Sequence, residues 1–122
     1  MPGAGVPQIL KERGVTIVTY GPESERITED RIPEALHALL AALKGAEPCV
    51  VIDLSNVKFF GSSFIEVLFR AWNRIQQQPG GRFALCGLTP NCAEVIEVTN
   101  LNRLWQTYPD RESAMQAMHG AA

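Results

Sequence analysis

The chain has 122 residues, of which 46% are hydrophobic and 20% are charged, which is typical of one globular domain and not of a disordered chain. Its net charge of −2 excludes the strongly basic surface by which many proteins bind nucleic acid. No stretch approaches the roughly 18 consecutive apolar residues of a membrane span. The composition therefore predicts a single domain that binds neither nucleic acid nor a membrane.

The N-terminus and the cysteines indicate the cellular compartment in which we expect the protein. Residues 1–5 have neither the basic segment nor the apolar segment of a signal peptide. The chain contains three cysteines, Cys49, Cys86 and Cys92. An odd number without a secretory signal favours reduced thiols in the cytoplasm. Their spacing is not that of zinc ligands, and neither His37 nor His119 lies near a cysteine pair, so we predict a cytoplasmic protein with no metal and no cofactor.

The first third of the chain predicts a hairpin followed by an amphipathic helix. β-branched residues on both sides of Gly14 predict two short strands around a turn. After a polar loop, Thr28 or Asp30 is expected to cap a helix that has Pro33 in its first turn and ends at Gly45. The apolar stripe of this helix is Ile32, Ala35, Leu36, Leu39, Leu40 and Leu43.

The rest of the chain alternates buried strands with helices. Residues 50–54 and 83–86 are nearly continuous apolar runs, as in strands that are covered on both faces. A helix is predicted after Gly61, another from Thr89 and Pro90, and a last one capped by Asp110. The second of the four predicted helices ends at residues 79–81, a short strand is predicted at 104–108, and the last helix runs through Met118.

This order of elements predicts the fold class. Strands that alternate with helices require right-handed crossovers, so the fold is α/β with a single-layer, mostly parallel β-sheet of about five strands and about four helices. The tight turn at Gly14 makes the first strand an antiparallel edge. We expect one domain over residues 8–118, with a flexible N-terminal tail at residues 1–7 and a C-terminal tail at residues 119–122.

Enzymatic motifs are missing from the loops where an α/β domain places its working groups. Those loops are residues 55–63, 87–89 and 108–110. The chain contains neither GxxxxGK[ST], nor GxGxxG, nor GxSxG, and both histidines are expected at the surface, away from any serine. Asp53 and Glu66 could be read as a pair of catalytic carboxylates. Asp53 fits better as the residue that ends a strand, and Glu66 fits better as part of a helix cap. The sequence therefore favours a protein that is not an enzyme.

Two adjacent serines mark the predicted start of the second helix. The string SFIE at residues 63–66 has the spacing of a capping box, in which Ser63 bonds the N–H of Glu66 and Glu66 reaches back. Ser62 is then one residue outside the helix, on a turn opened by Gly61, with its hydroxyl in solvent near the positive end of the helix dipole. A phosphate there would meet unpaired N–H groups and would repel a partner that fits the neutral surface. The pattern fits a regulatory phosphoserine, and it also fits a small loop residue without that role.

Four strings of the sequence stand out together. They are VIDLSNVKFFGSS at residues 51–63, PGG at 79–81, FALCGLTP at 83–90 and LNRL at 101–104. In this combination the chain resembles the STAS domain, the fold of bacterial anti-sigma factor antagonists. The resemblance extends over about residues 8–118 and is strongest between residues 50 and 104.

The resemblance implies a protein that works by binding. In that family the unphosphorylated antagonist binds an anti-sigma factor, which is also a serine kinase, and so frees a sigma factor. The kinase phosphorylates a serine at the start of the second helix, the complex dissociates, and a phosphatase restores the antagonist. The family motif Asp-Ser-Ser/Thr-Gly places its first serine at Ser62 and its second hydroxyl residue at Ser63, while Gly61 replaces the aspartate and Phe64 replaces the glycine.

We therefore expect an anti-sigma factor antagonist-like signalling protein whose partner is an anti-sigma factor with serine kinase activity or another signalling protein. The phosphorylation candidate is Ser62, and Ser63 is the alternate. Phe64 is expected off the buried stripe of its helix, where it contacts or blocks a partner or covers neighbouring apolar surface. The expected partner surface consists of Phe60, Gly61, Ser62, Ser63, Phe64 and Val67.

Two other functions fit the same sequence. One is a constitutive interaction module in which Ser62 is never modified, because Gly61 removes the acidic neighbour that a kinase reads. The other is a domain that binds a nucleotide or small molecule at the same loop, although no glycine-rich phosphate motif is present.

Overall fold

The structure, a computed structural model, describes residues 7–45 and 48–120, the last two of them by backbone alone. Most of the predicted N-terminal tail (residues 1–6), residues 121–122 of the predicted C-terminal tail and the side chain of His119 lie outside the described residues.

The described residues form one five-stranded sheet, one two-stranded sheet and four α-helices. The strands are β1 (Gln8–Glu12), β2 (Val15–Thr19), β3 (Arg26–Ile27), β4 (Cys49–Asp53), β5 (Phe59–Phe60), β6 (Arg82–Cys86) and β7 (Gln106–Tyr108). The helices are α1 (Ile32–Ala42), α2 (Ser62–Gln76), α3 (Pro90–Val98) and α4 (Arg111–Gly120).

The main sheet has the predicted topology. Its strand order is β1-β2-β4-β6-β7. β1 pairs with β2 in antiparallel fashion, and every other neighbouring pair in this sheet is parallel. Gly14, with φ of +77°, makes the tight turn between β1 and β2. The predicted α/β fold with an antiparallel first edge strand is confirmed.

Helices cover both faces of the sheet. Val50 and Ile52 of β4 face the larger core, to which α1, α2 and α3 each contribute buried residues. Val51 faces the smaller core on the opposite side, with Met115 and Met118 of α4. This burial on both faces explains why β4 is an almost continuous apolar run in the sequence.

The small sheet was not predicted, and it positions the start of α2. β3 and β5 pair in parallel, with Ile27 opposite Phe60. The carbonyl oxygen of Glu25 accepts hydrogen bonds from the backbone N–H groups of Lys58 and Phe59, at 2.9 and 3.2 Å. The segment before α1 is thereby attached to the segment before α2.

Two helix ends also differ from the sequence prediction. Neither Thr28 nor Asp30 caps α1, because a 3-10 turn at Glu29–Arg31 intervenes and the Thr28 hydroxyl donates to the Asp30 carboxylate instead. α4 continues to Gly120, two residues past the helix end predicted at Met118, which is within the one or two residues by which helix ends vary.

Candidate functional site

The turn between β5 and α2 holds both candidate serines. Gly61 is the N-cap of α2, with extended backbone (φ −99°, ψ −175°) and no side chain to cap the helix. The backbone N–H groups of Phe64 and Ile65 donate to the Gly61 carbonyl oxygen, at 3.1 and 3.3 Å. Among the described residues, the N–H groups of Ser62 and Ser63 have no acceptor, so the helix presents unpaired donors at this turn.

Ser62 is the first residue of α2 and its side chain is exposed. The prediction that it lies one residue outside the helix is wrong, because Gly61 and not Ser63 is the N-cap. Its hydroxyl has no hydrogen-bond partner among residues 7–45 and 48–120. A modifying enzyme can therefore reach this hydroxyl from the solvent.

Ser63 has a different environment, and the predicted capping box does not form. As the second residue of the helix, Ser63 donates its hydroxyl hydrogen to Oε2 of Glu29, at 2.7 Å. Glu66 lies one turn on and pairs with Arg70 at 3.7 Å, so it does not reach back to the N-cap. The negative charge at this helix end thus comes from Glu29, a residue 34 positions earlier in the chain.

Three residues of the predicted partner surface are buried inside the chain itself. Phe64 is 0% exposed and its ring packs edge-on against Tyr20, with the centroids 5.9 Å apart. The prediction that it lies off the buried side of its helix is wrong, because Phe64, Val67 and Ala71 are all buried and widen the apolar face of α2. Phe60 and Val67 are 1% exposed. The side chains at these three positions shape the core, which leaves Gly61, Ser62 and Ser63 as the accessible part of the predicted surface.

An exposed apolar groove that the sequence does not predict lies beside this turn. It has a volume of about 430 Å³ and runs between β5 and α3. Phe59 and Val98 line it and are 50% and 73% exposed. The Arg26 guanidinium stands 5.9 Å from the centre of the Phe59 ring. The alternation of Phe59 and Phe60 along a strand, one facing out and one in, is the only sequence signal for it.

Asp53 and Glu66 have separate partners and do not form a carboxylate pair. Asp53 ends β4, where it accepts hydrogen bonds from Arg111 at 3.1 Å and from the Ser55 N–H at 3.0 Å. Glu66 is on α2 and pairs with Arg70 instead. Within residues 7–45 and 48–120, no group of three His, Cys, Asp or Glu side chains is placed to hold a metal ion.

Two of the three cysteines, Cys86 and Cys92, are buried. Burial, with the nearby Asp53 charge, raises the pKa of the Cys86 thiol to about 12. Burial also raises the pKa of Cys92, whose thiol donates to the Val57 carbonyl oxygen at 3.3 Å. Both therefore remain protonated at neutral pH and act as small apolar residues of the core.

Comparisons with known proteins agree on one family. The model of the STAS domain matches residues 7–114. A protein named anti-sigma F factor antagonist, from Paenibacillus polymyxa, is 24% identical over 103 residues, which are 84% of this chain and 86% of that protein. Of the helices in the described part of this chain, none is long and apolar enough to cross a membrane.

Solved structures show the same architecture. An anti-sigma-factor antagonist (STAS) domain protein from Planctomyces limnophilus is 39% identical and has a TM-score of 0.86, with 93% of this chain and 97% of that chain covered. The structure of the anti-sigma factor antagonist SpoIIAA in its unphosphorylated form has a TM-score of 0.70 over 94% of this chain and 97% of that chain. At 16% identity the second comparison shows the fold alone.

Proposed function

This chain belongs to the STAS domain family, and from that premise we propose that it binds an anti-sigma factor with serine kinase activity and is released from it when Ser62 is phosphorylated. The cycle runs in the cytoplasm, where the kinase has ATP. The relative from Paenibacillus polymyxa is named an antagonist of anti-sigma F factor, and the solved structure from Planctomyces limnophilus is also described as an antagonist. Both names support an anti-sigma factor as the partner.

The observation that carries the proposal is the environment of the Ser62 hydroxyl. It is exposed, it lies at the first position of a 15-residue helix, and it has no hydrogen-bond partner in the described part of the chain. A kinase can reach such a hydroxyl without unfolding the helix. The helix end also accommodates the product, because the unpaired N–H groups and the positive end of the dipole stabilise an anion there.

The same phosphate weakens the binding of a partner at this turn. A phosphoserine carries about −1.5 to −2 charges at pH 7, so the accessible turn, which already has the Glu29 carboxylate beside Ser63, becomes strongly negative. A partner surface that packs against the uncharged Ser62 side chain must then desolvate the phosphate charge or separate from it. Release follows from charge alone, without any catalytic group in this chain.

Substitutions at Ser62 test the proposal. Ser62→Glu adds one negative charge at the turn and is expected to weaken anti-sigma factor binding at least tenfold, whereas Ser62→Ala keeps the wild-type affinity. Gln116→Glu is the matched control, because it adds the same charge at an exposed position of α4, on the opposite side of the sheet. Isothermal titration calorimetry measures all three. Equal binding of the two Ser62 variants would refute the switch.

A constitutive interaction module is the second candidate, and the groove between β5 and α3 favours it. Its exposed Phe59 and Val98 offer an apolar contact that needs no modification. Incubation with ATP and the anti-sigma factor kinase, followed by intact-mass measurement, separates the two functions. Gain of one phosphate supports the switch, and no gain over several hours supports the constitutive module.

A further inference from the structure

Glu29 stands against the turn that begins α2. One carboxylate oxygen, Oε2, accepts the Ser63 hydroxyl hydrogen at 2.7 Å. The other, Oε1, is 3.6 Å from the position that a Cβ atom would occupy on Gly61. A carboxylate is therefore present at this turn although Gly61 has no side chain to provide one.

The backbone holds Glu29 in this place. β3 and β5 run parallel with Ile27 opposite Phe60. Glu29 is two residues past Ile27, and Ser62 is two residues past Phe60. Because parallel strands leave a sheet in the same direction, both segments emerge side by side at this edge. The contact between Glu29 and Ser63 is thus a consequence of the small sheet and not of a side-chain rotamer alone.

The two serines face different surroundings. Successive residues of an α-helix point about 100° apart around its axis. Ser63 is half-buried and lines the groove between α1 and α2, with Ile32 and Leu36 on the opposite wall. Ser62 is exposed, and no residue of the described chain bonds its hydroxyl.

We propose that Glu29 is a specificity-determining residue of the switch, which directs the phosphate to Ser62 and away from Ser63. This inference rests on the proposed function, since it concerns the same turn. In the reaction the serine Oγ bonds to the γ-phosphorus of ATP, ADP leaves with the bridging oxygen, and the hydroxyl proton passes to the kinase or to solvent. On Ser63 this step removes the donor of the hydrogen bond and places a dianion against the Glu29 carboxylate. On Ser62 it leaves that hydrogen bond intact.

A melting experiment tests Glu29 without any kinase. Phosphoserine is incorporated genetically at position 62 or 63, in the wild-type chain and in the Glu29→Gln and Asp30→Asn variants. Asp30 is the matched control, because it is exposed, lies in the same 3-10 turn and bonds Thr28 instead of a serine of α2. Phosphoserine at 63 is expected to lower the Tm by about 4 °C more than phosphoserine at 62, the shift typical of about 1 kcal/mol in a domain of this size.

The variants decide whether Glu29 causes that difference. Glu29→Gln is expected to remove most of the excess loss of Tm at position 63, and Asp30→Asn to leave it. High salt reduces the effect, because the charges are close to solvent. Equal losses at the two positions, or equal relief by the two variants, would overturn the inference.

Phosphate mapping with the anti-sigma factor kinase gives the second readout. In the Ser62→Ala background we expect less than a tenth of the chains to be phosphorylated on Ser63, and adding Glu29→Gln to raise that share at least fivefold. A Ser63 share that Glu29→Gln does not change contradicts the role of Glu29. If the kinase modifies neither serine in any variant, the proposed switch fails, and the melting comparison alone then decides the effect of Glu29.

Discussion

Two phenylalanines near the start of α2 have opposite environments. Phe64 is fully buried, with its ring against those of Tyr20 and Phe60 at 5.9 and 5.4 Å between centroids. Phe59 is 50% exposed and contacts solvent, the groove and the Arg26 guanidinium. Phe64 therefore contributes to stability, whereas Phe59 is available to a partner.

Alanine substitution separates these roles. Phe64→Ala is expected to lower the free energy of unfolding by about 3–5 kcal/mol, since it leaves a cavity in a packed core. Phe59→Ala is expected to cost about 1 kcal/mol or less, because it removes an exposed ring and one cation–π contact. Urea denaturation measures both. A Phe64→Ala variant as stable as Phe59→Ala would contradict the assignment of Phe64 to the core.

Local sequence determined part of the serine turn. The exposure of Ser62 and its place near a helix start were predictable, because Gly61 and the apolar spacing of α2 are local signals. The partner of Ser63 was not predictable, because Glu29 lies 34 positions away and no spacing rule connects them. A capping-box pattern describes which bonds are available within one turn, and here a residue from outside the helix forms the bond instead.

At the scale of elements, the start of α4 depends on one carboxylate. Asp110 precedes the helix, and its Oδ1 accepts the Ser113 backbone N–H at 2.8 Å, as predicted for a cap. That backbone hydrogen bond, with a further one from the Ser113 side chain, lowers the pKa of Asp110. A lowered pKa means that the folded state favours the ionised carboxylate, so the cap stabilises the fold above the pKa of an unfolded Asp, about 3.9.

The cap therefore predicts a pH dependence. Asp110→Ala is expected to lower the Tm at pH 7, and its difference from wild type is expected to shrink as the pH falls from about 4 through the lowered pKa of the folded Asp110 carboxylate. Asp110→Asn keeps a capping oxygen and serves as the uncharged control. Thermal melts from pH 7 to pH 2.5 measure the difference. A wild-type advantage over Asp110→Ala that is constant over this range would show that the charge has no part in the cap.

Long elements were predictable and very short ones were not. Three strands of the main sheet, β2, β4 and β6, have runs of apolar residues, and the four helices have apolar stripes. β3 and β5 have two residues each, too few to show a period of two. They exist because two distant segments pair, which is a property of the tertiary structure. The site depends on this pair, so its geometry was less predictable than the fold.

At the scale of the whole molecule, the sheet and the helices that carry the candidate site do not need to change conformation when Ser62 is phosphorylated. α1, α2 and α3 cover one face of the sheet and α4 covers the other, and Arg111 ties α4 to the end of β4 through Asp53. Ser62 lies outside both cores. A phosphate there changes the charge of a surface and leaves the packing beneath it intact, so regulation and folding stability are separable.

Under the proposed function, a phosphate on Ser62 releases the anti-sigma factor. The direct measurement is the dissociation constant of that complex for the chain phosphorylated stoichiometrically on Ser62 and for the same sample after phosphatase treatment. We predict binding at least a hundredfold weaker in the phosphorylated form, a loss of about 2.7 kcal/mol, and full recovery after dephosphorylation. Equal dissociation constants for the two forms would contradict the claim.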